Sequence, residues 1–151
     1  MNYQKIWQKT LTNDEKLEYE FSISKRYLMI KIIIWVLLAS IFLPYENTRG
    51  LAVIVILFAL FYYGFYLKIA NAYALTNKRI LIHKGWLSTR AISVDYSKIT
   101  DIIVVEPFFS RIFYKSGHLA INTAGTGLHE IILRNIPTPY ETKKMISGIK
   151  K

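Results

Sequence analysis

Three histidines, His83, His118 and His129, are the side chains of this chain best suited to proton transfer or metal binding. They fall in three separate segments of alternating polarity, and no H-E-x-x-H or similar ligand spacing joins them. Each reads as a solvent-facing strand position. The chain has no cysteine, which removes thiol nucleophiles, thiolate metal sites and disulfides together. The "AGTG" stretch, residues 124–127, has the small residues of a phosphate loop. No Lys-Ser/Thr follows it, and a strand pattern comes next instead of a helix, so it reads as a hairpin turn. Thr76-Asn77-Lys78 is turn chemistry in the same way. No nucleophile has a base at a useful spacing. The expectation is a protein without catalysis, cofactor or metal.

What remains is charge. Hydrophobic residues make up 52% of the 151 residues and charged ones 20%, yet the net charge is +10. Residues 71–151 carry 12 Lys or Arg against 5 Asp or Glu. Lys68, Lys78, Arg79 and Lys84 stand close together in sequence, and they are the candidate contacts for an anionic surface. Basic strands with interleaved aromatics also occur in nucleic-acid binders, but the chain shows neither a recognition helix nor an aromatic platform, so nucleic acid is not expected. "FFSRIFY", residues 108–114, is a short helical or irregular connector with an apolar side. Its Phe108, Phe109 and Phe113 are candidate contacts for a protein partner.

The elements that must position these groups divide into two kinds. Tyr27–Leu43 and Leu51–Leu67 are apolar runs of 17 residues, the first interrupted only by Lys31. Each reaches roughly 26 Å as a helix, close to the hydrocarbon thickness of a bilayer. Lys31 lies one turn inside its run, from where its stem can lift the ammonium to the headgroups. "PYENTRG", residues 44–50, leaves room only for a tight helical hairpin. A signal peptide is not expected, because the 26-residue leader holds four acidic residues and no A-x-A site follows Leu43. Lys16, Lys25, Arg26 and Lys31 precede the runs, and Lys68, Lys78, Arg79 and Lys84 follow them, whereas the loop between holds only Arg49. Both termini are therefore expected in the cytoplasm, with Tyr62, Tyr63 and Tyr66 as an aromatic belt.

After Asn71 the apolar period changes to two, the mark of half-buried strands. "RILIHK" sets Ile80 and Ile82 on one face and Arg79, Leu81 and His83 on the other. "STRAISVDY", "ITDIIVVE", "GHLAINTA" and "LHEIILRN" continue the strands, and Pro137 and Pro139 open a final helix in which Tyr140, Met145 and Ile149 share a face. In the leader, Leu17, Tyr19, Phe21 and Ile23 alternate as one more strand. Before it, Tyr3, Ile6, Trp7 and Leu11 have helical spacing, either for the membrane interface or for docking on the domain. Such strands closed by one helix make a small barrel or strongly bent sheet.

Leu75, Thr76, Arg79 and Gly85, then Ile99, then Thr123, Ala124 and Gly125, then Pro137 and Pro139 stand in a pattern that resembles the bacterial pleckstrin-homology-like domain of the membrane-flanked DUF304 family. The likeness covers residues 73–146, and the preceding pair of spans is also similar to that family. Asn122 stands where the family often has Arg, and Lys115-Ser116 precede Gly117 where a glycine-rich turn is common. The resemblance implies a pleckstrin-homology-like barrel and nothing catalytic.

The expected protein is thus an α+β membrane protein of three parts. Residues 1–26 are a cytoplasmic helix and strand, and residues 27–70 a transmembrane helical hairpin (27–43 and 51–67). Residues 71–151 form an antiparallel pleckstrin-homology-like β-barrel or bent sheet capped by a C-terminal helix. The expected function is a non-enzymatic binding or scaffold module at the inner face of the plasma membrane. Its expected partners are anionic lipid headgroups, a protein or a second copy. The alternative is a purely structural subunit of a membrane complex with no lipid ligand.

Overall fold

The computed structural model describes residues 3–8, 10–124 and 131–149. His129 and most of the turn expected at residues 124–127 therefore lie outside the described residues. Strands β1 (Leu17–Ser22), β2 (Asn71–Thr76), β3 (Arg79–Lys84) and β4 (Arg90–Asp95) form one antiparallel sheet in that order. Strands β5 (Ile99–Val105), β6 (Ser116–Thr123) and β7 (Ile131–Pro137) form a second. The helices are α1 (Gln4–Trp7), α2 (Lys25–Ser40), α3 (Glu46–Phe61), α4 (Leu67–Ala70) and α5 (Pro139–Ile149).

The period-two alternation decides which side chains meet between the sheets. Phe21, Tyr73, Leu75, Ile80 and Ile82 of the first sheet pack with Ile102, Leu119, Ile121, Leu133 and Ile136 of the second. Helix α5 adds Ile146, which is completely buried, to this core. Burying each such side chain contributes about 1.5–3 kcal/mol. Of the expected face only Ile149 packs against the core, since Tyr140 and Met145 are exposed while Pro139, Thr142 and Ile146 are buried. Helical geometry accounts for the change: once Pro139 is the first helical residue, positions 139, 142 and 146 share the stripe over the core.

Leu81 is a second correction. It is buried in a small outer cluster with Tyr3, Trp7, Ala72 and Ala74. Helix α1 covers the outer face of β2 and β3, so this sheet is apolar on both sides there. The leader segment is docked on the domain.

Strand β1 pairs with β2, Phe21 opposite Tyr73 and Ser22 opposite Ala72. The helices α2 to α4 are therefore inserted between two neighbouring strands of one sheet. Helix α3 starts five residues before the apolar run, because Glu46 favours a helix N-terminus and Thr48 and Arg49 close the bend. The Thr48 hydroxyl donates to Phe42 O at 3.0 Å and Arg49 Nε to Leu43 O at 3.1 Å, satisfying carbonyls left free beyond α2. A π-helical turn at Tyr62–Tyr66, around Gly64, joins α3 to α4 without a break. The resulting helix, Glu46–Ala70, has 25 residues and is long and apolar enough to cross a membrane, whereas α2 has 16. The two helices pack through small side chains, with Ala39, Ala52 and Ala59 buried. Their large side chains, including Leu37, Leu57 and Phe58, point outward.

Candidate ligand-binding surface

Because the strands alternate in direction, the body has two unlike ends. The helices, the β3–β4 turn, the β5–β6 connector and the start of α5 gather at one end. The β2–β3 and β4–β5 connections, the end of β6 and the start of β7 lie at the other. Lys84 ends β3 at the helix-proximal end and Arg79 begins it at the far end. Five residue steps along a strand span roughly 17 Å, about twice the Debye length at physiological salt. Lys68 and Lys84 therefore stand at the helices, whereas Lys78 and Arg79 stand far from them. Proximity in sequence groups all four; strand direction separates them.

Arg79 is also already engaged. Its guanidinium forms a salt bridge of 2.8 Å with Glu15, whose side chain is 1% exposed. The Arg79 hydrogen bonds hold the Glu15 carboxyl down at about 2, against the opposing effect of burial and with help from Thr76 and Thr12. This pair ties the leader to the β2–β3 turn, so Arg79 is a clamp within the fold.

Among the described residues, the cations at the helix-proximal end form no such ion pair. Lys25 and Arg26 begin α2, and Lys68 lies in α4, the last turn of the long helix. All three line a cavity of about 470 Å³, together with Tyr3, Glu20 and Ser24. One oxygen of Glu20 is buried there without a hydrogen-bond partner. The cavity thus holds three positive groups against one negative group. Nearby on the sheet, Lys84 sits directly opposite Arg90 on the next strand. Burial, and then the charges of Arg134 and Arg90, push the Lys84 ammonium below its ordinary range. Crowded like charges of this kind favour an anion that would relieve them.

The cavity is rigidly framed. Ser24 N donates to Asn135 O at 2.7 Å and Ser24 Oγ to Tyr114 O at 3.2 Å, which fixes the start of α2 on β7 and on the connector. Tyr3 donates its hydroxyl to Lys68 O at 3.2 Å, and Ser22 Oγ lies against the carbonyls of Lys68 and Asn71. Gly85 N donates to Ala70 O at 2.8 Å, and Asn71 Nδ2 to Leu67 O at 3.1 Å. Helix becomes strand at Asn71 with no linker. In the sequence Lys25 and Arg26 are visible as topology charge, but their meeting with Lys68 depends on β1 pairing with β2.

A second cavity of about 580 Å³ lies on the outer face of β3 and β4, lined by Ile6, Trp7, Leu81, Ile92 and Trp86 among others. It is mainly apolar, and His83 is at its wall rather than in open solvent. His118 accepts a hydrogen bond at Nδ1 from Asn135 N at 3.1 Å. Burial, followed by the charge of Arg134, lowers its affinity for a proton. His83 on β3 and His118 on β6 belong to different sheets, and among the described residues no group of acidic or histidine side chains converges as a metal site. Phe108, Phe109 and Phe113 are all exposed at the helix-proximal end.

A protein-family model described as a bacterial PH domain matches residues 27–150. The fold is similar to a DUF1696 family protein with a pleckstrin-homology domain from Shewanella loihica PV-4. The TM-score is 0.55 at 13% identity, over 100% of this chain and 95% of that one. It is also similar to a pleckstrin homology domain from Shewanella amazonensis SB2B, with a TM-score of 0.55 at 11% identity, over 100% and 90% of the two chains. No curated protein matches the chain. At such identities the structural likeness speaks for the fold alone.

Proposed function

We propose, from the premise that the chain belongs to the bacterial PH domain family, that it is a membrane-anchored binding module whose body holds anionic lipid headgroups at the inner face of the bilayer. PH-like domains generally bind rather than catalyse. In this reading residues 27–70 enter the membrane, and the leader joins residues 71–151 on the cytoplasmic side. The helix Glu46–Ala70 reaches about 37 Å, enough to cross the hydrocarbon layer. Only 11% of its most apolar stretch is buried, which supports a span over the buried core helix of a soluble body. Helix α2 runs back beside it, extended by exposed Ile41 and Phe42.

The observation that carries the reading is the cavity where both helices meet the sheet, with Lys25, Arg26 and Lys68 in its wall. A lipid phosphate at the headgroup level of these helices meets three cations and the free N–H groups of the first turn of α2. Each basic residue near an anionic leaflet contributes on the order of 1 kcal/mol.

Native mass spectrometry of the full chain, released from detergent with phosphatidylglycerol or phosphatidylcholine added, tests this. The anionic lipid is expected to stay bound at activation energies that strip the neutral one. The Lys25→Gln, Arg26→Gln, Lys68→Gln variant is expected to lose that difference. Equal retention of the two lipids by the unaltered protein would overturn the headgroup site and leave a structural subunit.

A further inference from the structure

Two apolar tips flank the helices at the same end of the body. One is the β3–β4 turn, where Leu87 is 88% exposed and Trp86 packs edge-on against Phe61, Phe65 and Tyr66 of the long helix. The other is the connector between β5 and β6, whose π-helical turn is Ser110–Tyr114. There Phe108, Phe109, Ile112 and Phe113 are exposed, with Phe109 stacked on Phe113 at 6.2 Å. Such a patch on a soluble surface is unfavourable unless something covers it.

Its depth can be read from Lys31. The Lys31 ammonium lies 5.8 Å from the centre of the Tyr27 ring and 5.9 Å from that of Tyr114. Those two rings meet edge to face at 5.1 Å. A lysine one turn inside a span extends its ammonium to the headgroups, so Tyr114 is at headgroup level. The apolar side chains of the same short connector are then at the boundary between headgroups and acyl chains. Arg111 and Lys115, in and beside the turn, suit an anionic leaflet at that depth.

We infer that Trp86 and Leu87, together with Phe108, Phe109, Ile112 and Phe113, insert into the interfacial layer of the bilayer as two wedges on either side of the helical hairpin. The occupant of this surface is lipid. The inference rests on the membrane reading above, and it goes beyond it, because a body tethered by two helices need not touch the bilayer anywhere else. The wedges fix its height and tilt, and they hold the Lys25–Arg26–Lys68 cavity at the phosphate plane.

The absence of cysteine from the chain permits single spin labels without background. Phe109→Cys, Leu87→Cys, Leu57→Cys and Asn77→Cys are each labelled in the full chain, reconstituted in vesicles of phosphatidylglycerol and phosphatidylcholine. Accessibility to oxygen and to a neutral nickel chelate then reports depth. Positions 109 and 87 are expected to favour oxygen over nickel by several-fold relative to Asn77, and less strongly than Leu57 in the middle of the long helix. A Phe109 label as nickel-accessible as Asn77, with Leu57 deep in lipid, overturns the wedges and leaves the span intact. A Phe109 label shielded from both reagents also overturns them, since a protein or a second copy then covers the patch. A water-accessible Leu57 overturns the membrane reading itself, and the wedges fall with it.

Discussion

Arg79 and Glu15, 64 residues apart in the chain, make a two-point pair: Nε donates to Oε1 at 2.9 Å and Nη2 to Oε2 at 2.8 Å. The Thr76 hydroxyl donates to the same carboxyl at 2.7 Å, and Arg79 Nη2 lies within 3.2 Å of Thr10 O and Thr12 Oγ1. The whole helical hairpin separates these residues in sequence. The clamp therefore closes the sheet around an insertion that could otherwise pull β1 away from β2.

Loss of this pair is expected to lower stability. Glu15 titrates at about 2 instead of its ordinary 4.5. Its contribution is complete above about pH 4.5 and disappears as pH falls towards 2, with a size of about 3 kcal/mol. Glu15→Gln and Arg79→Gln should each cost about 2–3 kcal/mol at pH 7 in a detergent-solubilised melt, and the double variant little more than either. Neither should alter the preference for anionic lipid, because the pair is at the far end of the strands. An Arg79→Gln variant with full stability and no lipid preference would reverse the assignment.

Six of the strands, the core face of β3 and the final helix are legible in the sequence because period-two patterns and Pro139 are local signals. Strand β2 (Asn71–Thr76) is not, because its apolar residues continue the helical run without a break. Ile80 and Ile82 are completely or almost completely buried, as their alternation requires. Leu81 is not legible, because its cover, Trp7, comes from a four-residue helix 74 positions away that no local pattern places. The candidate site is legible in part. Lys68 and Lys84 are at the helices, but grouping Lys78 and Arg79 with them follows sequence distance, which strand direction overrides. Lys25 and Arg26 stand out in the sequence as orientation charges and not as cavity walls, since only the β1–β2 pairing brings them to Lys68.

Orientation is open to direct labelling. Thr48 is in the first turn of α3, beside the bend between the helices, and Ser147 in the last turns of α5. With the basic residues retained inside, Thr48→Cys should react with an impermeant maleimide on intact cells, and Ser147→Cys only after lysis. Labelling of Ser147→Cys from outside would invert the topology and remove the proposed contact with the inner leaflet.

His118 should give the protein a pH-dependent stability near neutrality. Its depressed proton affinity means the unfolded chain binds the proton first as pH falls below about 6.5. Stability is then greatest above that pH and declines below it. His118→Gln should flatten this decline, at a cost of about 1 kcal/mol for the hydrogen bond from Asn135 N. Thermal melts between pH 5 and 8 compare His118→Gln with the unaltered protein, and an unaltered slope in the variant would show that another group titrates.

Gly85 couples the sheet to the long helix. Its φ of +95° is a conformation that side chains rarely adopt, and a Cβ there would meet Ser88 O at 1.9 Å. Gly85→Ala must therefore rebuild the β3–β4 turn, at a cost of about 2 kcal/mol or more. The turn also carries Trp86 onto Phe61, Phe65 and Tyr66, so the indole should leave this cluster. Gly50, in the first turns of α3, has nothing within 4 Å of the place a methyl group would occupy, and Gly50→Ala should be neutral or stabilising by up to about 1 kcal/mol. Tryptophan emission separates the two: Gly85→Ala should shift it to the red, and Gly50→Ala should not. If Gly85→Ala kept both stability and emission, the turn would not hold the body against the helix.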